Sequence, residues 1–289
     1  MGLGARASLV ALVLAGMVSG PAADRAGAAA DPHRRTAQVE AGHLLDRARL
    51  PAGAVAVDRL PAGSGLQAPA PQPTAHLVVR RRVWLVPAGA GAVGGWLRLH
   101  PPAGGFPVGS GSSGDAAGLV ATTVRVGFRS PPGIASAVLV EEVGAHRVDG
   151  STVVRMVAQV VWWPSRPAGD LVPDTVRTVT AVGGATGRGA TAGWVAETGT
   201  PRTVRRLVRL VDTVPVALPG PHSCPAYRRP PIGLTFDDGR GRTVATAVVR
   251  RAGCPGVTLT VGRRPPVALV YSRALAAALH RIFRSDFSS

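Results

Sequence analysis

The chain has 289 residues, 33 of them basic and 16 acidic, for a formal charge of +17, and 46% of it is hydrophobic. Every basic residue is arginine; lysine and asparagine are absent. These absences exclude a Schiff-base lysine, a Gly-Lys-Ser/Thr phosphate loop and an Asn-x-Ser/Thr glycosylation acceptor, while the apolar fraction is that of a globular protein.

Residues 1–30 read as an export signal. Arg6 supplies a positive start, Ala7 to Gly20 an apolar core, and Ala28-Ala29-Ala30 a small-residue cleavage site before Asp31. The apolar run is about 14 residues, short of the roughly 20 a membrane span needs. Cleavage after Ala30, with Ala28 as second choice, is therefore expected over an uncleaved anchor. The first cut removes Arg6, Arg25 and Asp24 and leaves a mature charge of +16. Beyond it no stretch is long and apolar enough to cross a bilayer.

Residues 31–75 are expected to form a Pro/Ala/Gly-rich arm with one short helix, capped by Thr36 and carrying Val39, Leu44 and Leu45 on its apolar side. An α+β domain is expected over 76–182. Its strands are His76 to Val86, Leu119 to Arg129, and a hairpin of Ala137 to Arg147 with Thr152 to Trp163 that turns at Asp149-Gly150. Val154, Met156, Ala158, Val160 and Trp162 share one face of the last strand. A short helix is expected over Ala88 to His100, a loop over 101–114, and a further strand over Val172 to Val182. The implied fold class is α+β, an antiparallel or mixed sheet with helices on one face.

Residues 183–199 read as a Gly/Ala/Thr linker. A smaller α-β-β-β-α unit is expected over 200–287, with a helix over Pro201 to Val211 capped by Thr200, strands over Ile232 to Phe236, Thr243 to Val249 and Val257 to Val261, and a last helix from Ser272 through Phe283. In an exported protein Cys224 and Cys254, the only two cysteines, are expected to pair. Closing a loop of about 30 residues contributes roughly 3–4 kcal/mol in the chain-entropy model.

The 201–211 helix carries the clearest candidate site. Val204, Leu207, Val208 and Val211 form an apolar stripe, and Arg202, Arg205, Arg206 and Arg209 repeat the same spacing on the other side. Such a cationic face suits an anionic envelope polymer or lipid surface. The apolar stripe suits either that surface or the protein's own sheet. Two origins fit the charge as a whole: an anionic partner, or the amino-acid usage of a GC-rich genome, which favours Arg over Lys and depletes Asn. Export argues against nucleic acid.

Other motifs carry less. Leu234-Thr235-Phe236-Asp237-Asp238-Gly239 resembles the TFDDG signature of metal-dependent polysaccharide deacetylases. That family adds two downstream histidines to the metal, and only His280 follows here; a strand-turn-strand hairpin is expected instead. Gly109, Gly111 and Gly114 spell G-x-G-x-x-G without the strand-then-helix context of a dinucleotide site, and are expected in a flexible loop. His33, His43, His76, His100, His146, His222 and His280 show no metal spacing, so no metal or cofactor is expected. Adjacent Glu141 and Glu142 on a strand face opposite sides. Of Trp162 and Trp163 one is expected in the core, and the other, if exposed beside arginine, would make a ligand platform.

Leu50-Pro51-Ala52-Gly53-Ala54, Val83-Trp84-Leu85-Val86-Pro87, Gly95-Trp96-Leu97 with His100-Pro101-Pro102-Ala103-Gly104, Val157 to Trp162 with Arg166-Pro167, and Pro219-Gly220-Pro221 with Cys224-Pro225 together resemble a family of exported actinobacterial proteins of unknown function. The resemblance spans roughly residues 40–285 and implies an actinobacterial envelope setting, with no activity or catalytic residue attached. The expected role is a non-catalytic binding or structural module of the envelope. The alternative is an extracellular or cell-wall hydrolase whose site is assembled from residues distant in sequence.

Overall fold

The computed structural model describes residues 31–66, 74–114, 120–145, 151–184, 193–218 and 230–283. The signal segment, the Asp149-Gly150 turn and Cys224 lie outside them. Within the described residues the chain is α+β, with two six-stranded antiparallel sheets and four helices.

The first sheet is organised by its most apolar strand. Strand β6 (Thr152–Trp162) reads TVVRMVAQVVW and is buried along nearly its whole length. It lies inside the sheet order β1-β2-β6-β5-β4-β3, formed with β1 (Val55–Val57), β2 (Leu77–Val86), β3 (Gly105–Gly114), β4 (Val120–Phe128) and β5 (Ile134–Ala145). A strand paired on both sides and covered on both faces has no solvent side to keep polar. Val154, Met156, Ala158, Val160 and Trp162 do share one face, each at most 1% exposed. Helices α1 (Pro32–Asp46) and α2 (Ala90–Leu99) cover that face. On the other face Leu66, packed from residues that follow β1, closes a smaller cluster with Val83 and Val153.

Several expectations for this half change. Helix α1 is capped by Asp31 rather than Thr36: the Asp31 carboxylate accepts from the His33 amide at 2.9 Å, and Pro32 opens the first turn. Ala37, Ala41, Leu44 and Leu45 are its buried residues, while Val39 is exposed. The 31–75 arm is not wholly irregular, because β1 pairs with β2. The loop expected over 101–114 contains β3, so Gly109 and Gly111 sit in a sheet-edge strand followed by another strand. Close approach explains the glycines at one end: a Cβ on Gly105 would lie 2.4 Å from the Val126 side chain. Trp163 is half-buried, its carbonyl accepting from the His33 ring at 2.8 Å, so it is no exposed platform.

The second sheet runs β12-β11-β10-β9-β7-β8, built from β7 (Val176–Gly183), β8 (Trp194–Thr198), β9 (Ile232–Asp238), β10 (Thr243–Arg250), β11 (Gly256–Val261) and β12 (Val267–Val270). Strand β7, expected in the first unit, hydrogen-bonds to β9. The expected linker over 183–199 contains β8, the edge partner of β7. The connection between the sheets is therefore the stretch after Trp162. Helices α3 (Pro201–Asp212) and α4 (Arg273–Phe283) join this sheet in one core, through Val204, Leu207 and Val211 from α3 and Leu275, Ala278 and Leu279 from α4. The Ser272 hydroxyl accepts from the Leu275 amide at 3.2 Å, as a cap should. Thr200 holds the cap position of α3, but its side chain makes no capping bond.

The connection is bonded to both halves. The Asp31 carboxylate accepts from the Ser165 amide at 2.8 Å and its hydroxyl at 3.0 Å. The Arg166 guanidinium donates to the carbonyls of Val211 and Asp212, at 2.9 and 3.3 Å, and to that of Asp170. The Asp212 carboxylate in turn accepts from the Val172 amide at 3.0 Å.

Candidate functional site

Helix α3 forms where sequence periodicity places it, and its two faces meet different environments. Val204, Leu207 and Val211 are at most 2% exposed against the second sheet. That burial removes the membrane-surface option for the apolar stripe, because the helix cannot offer it to lipid without leaving its core. Arg202, Arg205, Arg206 and Arg209 are all exposed and make no ion pair among the described residues.

Alongside the helix runs a groove of about 550 Å³, bounded by the chain entering β7 and by one flank of α3. Val176, Val204 and Val208 give it an apolar floor; Arg177, Arg205 and Arg209 give it cationic walls; Asp174 is the one carboxylate among the described residues that line it. Arg177 is held in place, its Nη1 donating to the carbonyls of Asp174 and Val176, each at 3.0 Å. The fold thus brings Arg205 and Arg209 together with Arg177, and leaves Arg202 and Arg206 on the helix outside the groove. Arg177 was not identified from the sequence. It lies 28 positions before Arg205, and only strand alternation, which turns it away from buried Val176, hinted at its exposure.

The helix tolerates this charge at a cost. Arginines at i, i+3 and i+4 repel, by about 0.2–0.5 kcal/mol for each like-charge neighbour. Arg202 also lies in the first turn, where the helix dipole favours anions, and that turn has no acidic residue. An anion bound beside Arg205 and Arg209 relieves the repulsion between them and their neighbours. Arginine forks bind carboxylate and phosphate oxygens with paired hydrogen bonds, and the apolar floor takes the carbon backbone between charged groups.

The remaining motifs are structural. Asp238 lies at the end of β9 and accepts from the Arg240 and Arg242 amides at 2.9 and 3.0 Å, closing the turn into β10. Those backbone bonds, Arg242's first, hold its carboxyl below the usual carboxylate range. Its stabilising contribution is present above that usual range and is lost as pH falls through the lowered value. Asp237 accepts from the Thr243 hydroxyl at 2.7 Å. The hairpin reading of the TFDDG stretch therefore holds. Glu141 and Glu142 do face opposite sides. Glu142 pairs with Arg155, and Glu141 is sealed in the core. Among the described residues no three His, Cys, Asp or Glu side chains gather as a metal would require, and no helix is long and apolar enough to cross a membrane.

No protein-family model, curated protein or solved structure matches the chain.

Proposed function

We propose that the protein is exported, matures with Asp31 as its first residue, and serves as a non-catalytic binding module that holds an anionic polymer of the cell envelope in the groove beside α3. The supporting observation is the set of exposed arginines that make no ion pair among the described residues: four on α3, kept against mutual repulsion, of which Arg205 and Arg209 join Arg177 of β7 around one concave surface. Membership of the exported actinobacterial family belongs to the same proposal and supplies the setting. Cleavage after Ala30 suits Asp31, whose carboxylate caps α1 and fastens the inter-sheet connection through Ser165. Cys254 lies between β10 and β11. Its pairing with Cys224 is part of the proposal, and thiol titration of the unfolded, unreduced mature protein is expected to return no free thiol.

The test is co-sedimentation of the mature protein with isolated actinobacterial envelopes at low and high salt. A variant with Arg202, Arg205, Arg206 and Arg209 changed to Gln is run beside it. The wild type should pellet at low salt and be released at high salt, as expected for exposed charges that salt screens. The variant should bind about tenfold more weakly or worse, each lost charge-assisted contact contributing on the order of 1 kcal/mol. Equal binding by both proteins, or none at low salt, rejects the reading.

A further inference from the structure

A second cationic cavity lies in the other half of the molecule, on the face of the first sheet opposite α1 and α2. Strand β1 ends at Val57, opposite Val83 of β2. Beyond that point β2 has no partner on that side among the described residues, and the chain turns away at Asp58 and Arg59. The corner so made is a cavity of about 560 Å³, lined by Asp58, Arg59, Leu60, Arg81, Val83 and Arg155 among others.

Its charges are of two kinds. Arg155 is 3% exposed and is bonded to Glu142, and Arg82 at the rim is paired with Asp46 at 2.9 Å. Those two guanidiniums are neutralised by the protein. Arg59, Arg81 and Asp58 face the same cavity, and none of the three makes an ion pair among the described residues. Two unmatched guanidiniums call for an oxyanion. The Asp58 carboxylate lining the same cavity offers hydrogen-bond acceptors, so it calls for a donor such as a hydroxyl. The Leu60 and Val83 side chains supply an apolar wall for carbon between the two groups, and the volume falls in the range of small-molecule sites.

The geometry points to a binding site for a small hydroxylated oxyanion, with Arg59 and Arg81 holding the charged end and Asp58 a hydroxyl. A polyol or sugar phosphate and a sugar acid are the two sources of that chemistry. The site does not rest on the α3 groove, which belongs to the other sheet.

Isothermal titration of the full mature protein at low salt tests it, with glycerol phosphate and glucuronate as probes, glycerol and inorganic phosphate as controls, and three variants. We expect saturable single-site binding of one or both probes, tighter than either control, and the tighter probe names the source. Arg59→Gln with Arg81→Gln should weaken the probe by about tenfold or more, as loss of charge-assisted bonds implies. Asp58→Asn should narrow the preference for glycerol phosphate over inorganic phosphate. The four-arginine α3 variant should bind the probes as the wild type does. Because positions 58, 59 and 81 are exposed, the first two variants should melt with the wild type, which separates lost binding from lost folding. Absence of binding by both probes, equal binding of glycerol, unchanged affinity in the Arg59/Arg81 variant, or loss in the α3 variant overturns the assignment.

Discussion

Replacing Glu141 by leucine is expected to stabilise the protein, and more strongly as pH rises. Glu141 sits on β5 opposite Met156 of β6 and Val124 of β4, on the face covered by α1 and α2. It is 0% exposed, and neither carboxyl oxygen has a hydrogen-bond partner among the described residues. Burial alone pushes its pKa up to about 7. In the unfolded chain the same carboxyl ionises near its ordinary value of 4.5. Between those two values the folded state binds more protons than the unfolded one, so stability falls as pH rises. Below 4.5 both states hold the proton and there is no loss; above 7 both release it and the loss is complete. A shift of this size corresponds to about 3 kcal/mol. Denaturant melts at a series of pH values should show the wild type weakening across this window. Glu141→Gln should remove that slope. Glu141→Leu should remove it and add about 1–2 kcal/mol by eliminating a buried polar group without a partner. A wild-type stability that rises from pH 5 to 7 through Glu141, or a Glu141→Leu protein weaker than wild type at pH 8, would contradict this account of the core.

Arg166→Ala is expected to be strongly destabilising, by about 3 kcal/mol, the scale on which removal of one partner from a buried charged network acts. The side chain is 5% exposed and closes the C-terminal end of α3, donating to the carbonyls of Val211, which also accepts from the Val214 amide at 3.2 Å, and of Asp212. It also lies 3.6 Å from the Asp212 carboxylate. Burial lowers the Arg166 pKa and raises that of Asp212, with the opposite charge working against the shift in each case. Truncation would leave Asp212 without its cation and unfasten the connection between the sheets. Lysine brings the charge but not the fork, so Arg166→Lys should recover only part of the loss. Arg264→Ala is the control. Its bond to Asp170 is exposed, and its removal should cost less than about 1 kcal/mol. Chemical denaturation of the three variants decides the matter, and equal small effects at positions 166 and 264 would remove Arg166 from the framework.

What the sequence discloses follows the strength of local periodicity. Helix α3 is legible because Val204, Leu207 and Val211 repeat at helical spacing, and β6 because its alternate residues are uniformly apolar. Strand β3 is not legible. Gly105–Gly114 reads GFPVGSGSSG, without alternation, and becomes a strand only through the ladder that β4 offers it. The division between the sheets fails for a related reason. Strand β7 follows the first hairpin in sequence and precedes a glycine-rich run, but its partner β9 begins more than 50 residues later, a distance at which local pattern carries nothing. The α1 cap lies at Asp31, ahead of the Thr36 that the sequence suggests, because both are acceptable capping residues and Pro32 favours the earlier start. At the groove, the arginines of α3 are visible as a repeating face, whereas Arg177 joins them only through the packing of α3 beside the start of β7.

The claim that the α3 groove, rather than diffuse positive charge, holds the anionic chain is tested most directly with a polyphosphate of fixed length. Its affinity is measured for wild type, for a groove variant (Arg177, Arg205 and Arg209 to Gln) and for an outer variant (Arg202 and Arg206 to Gln), with thermal melts confirming that each is folded. A loss of about tenfold or more is expected for the groove variant and about threefold or less for the outer one, since paired contacts act at short range while exposed distant charges are screened. Losses simply proportional to the number of charges removed, or no loss in the groove variant, would contradict it.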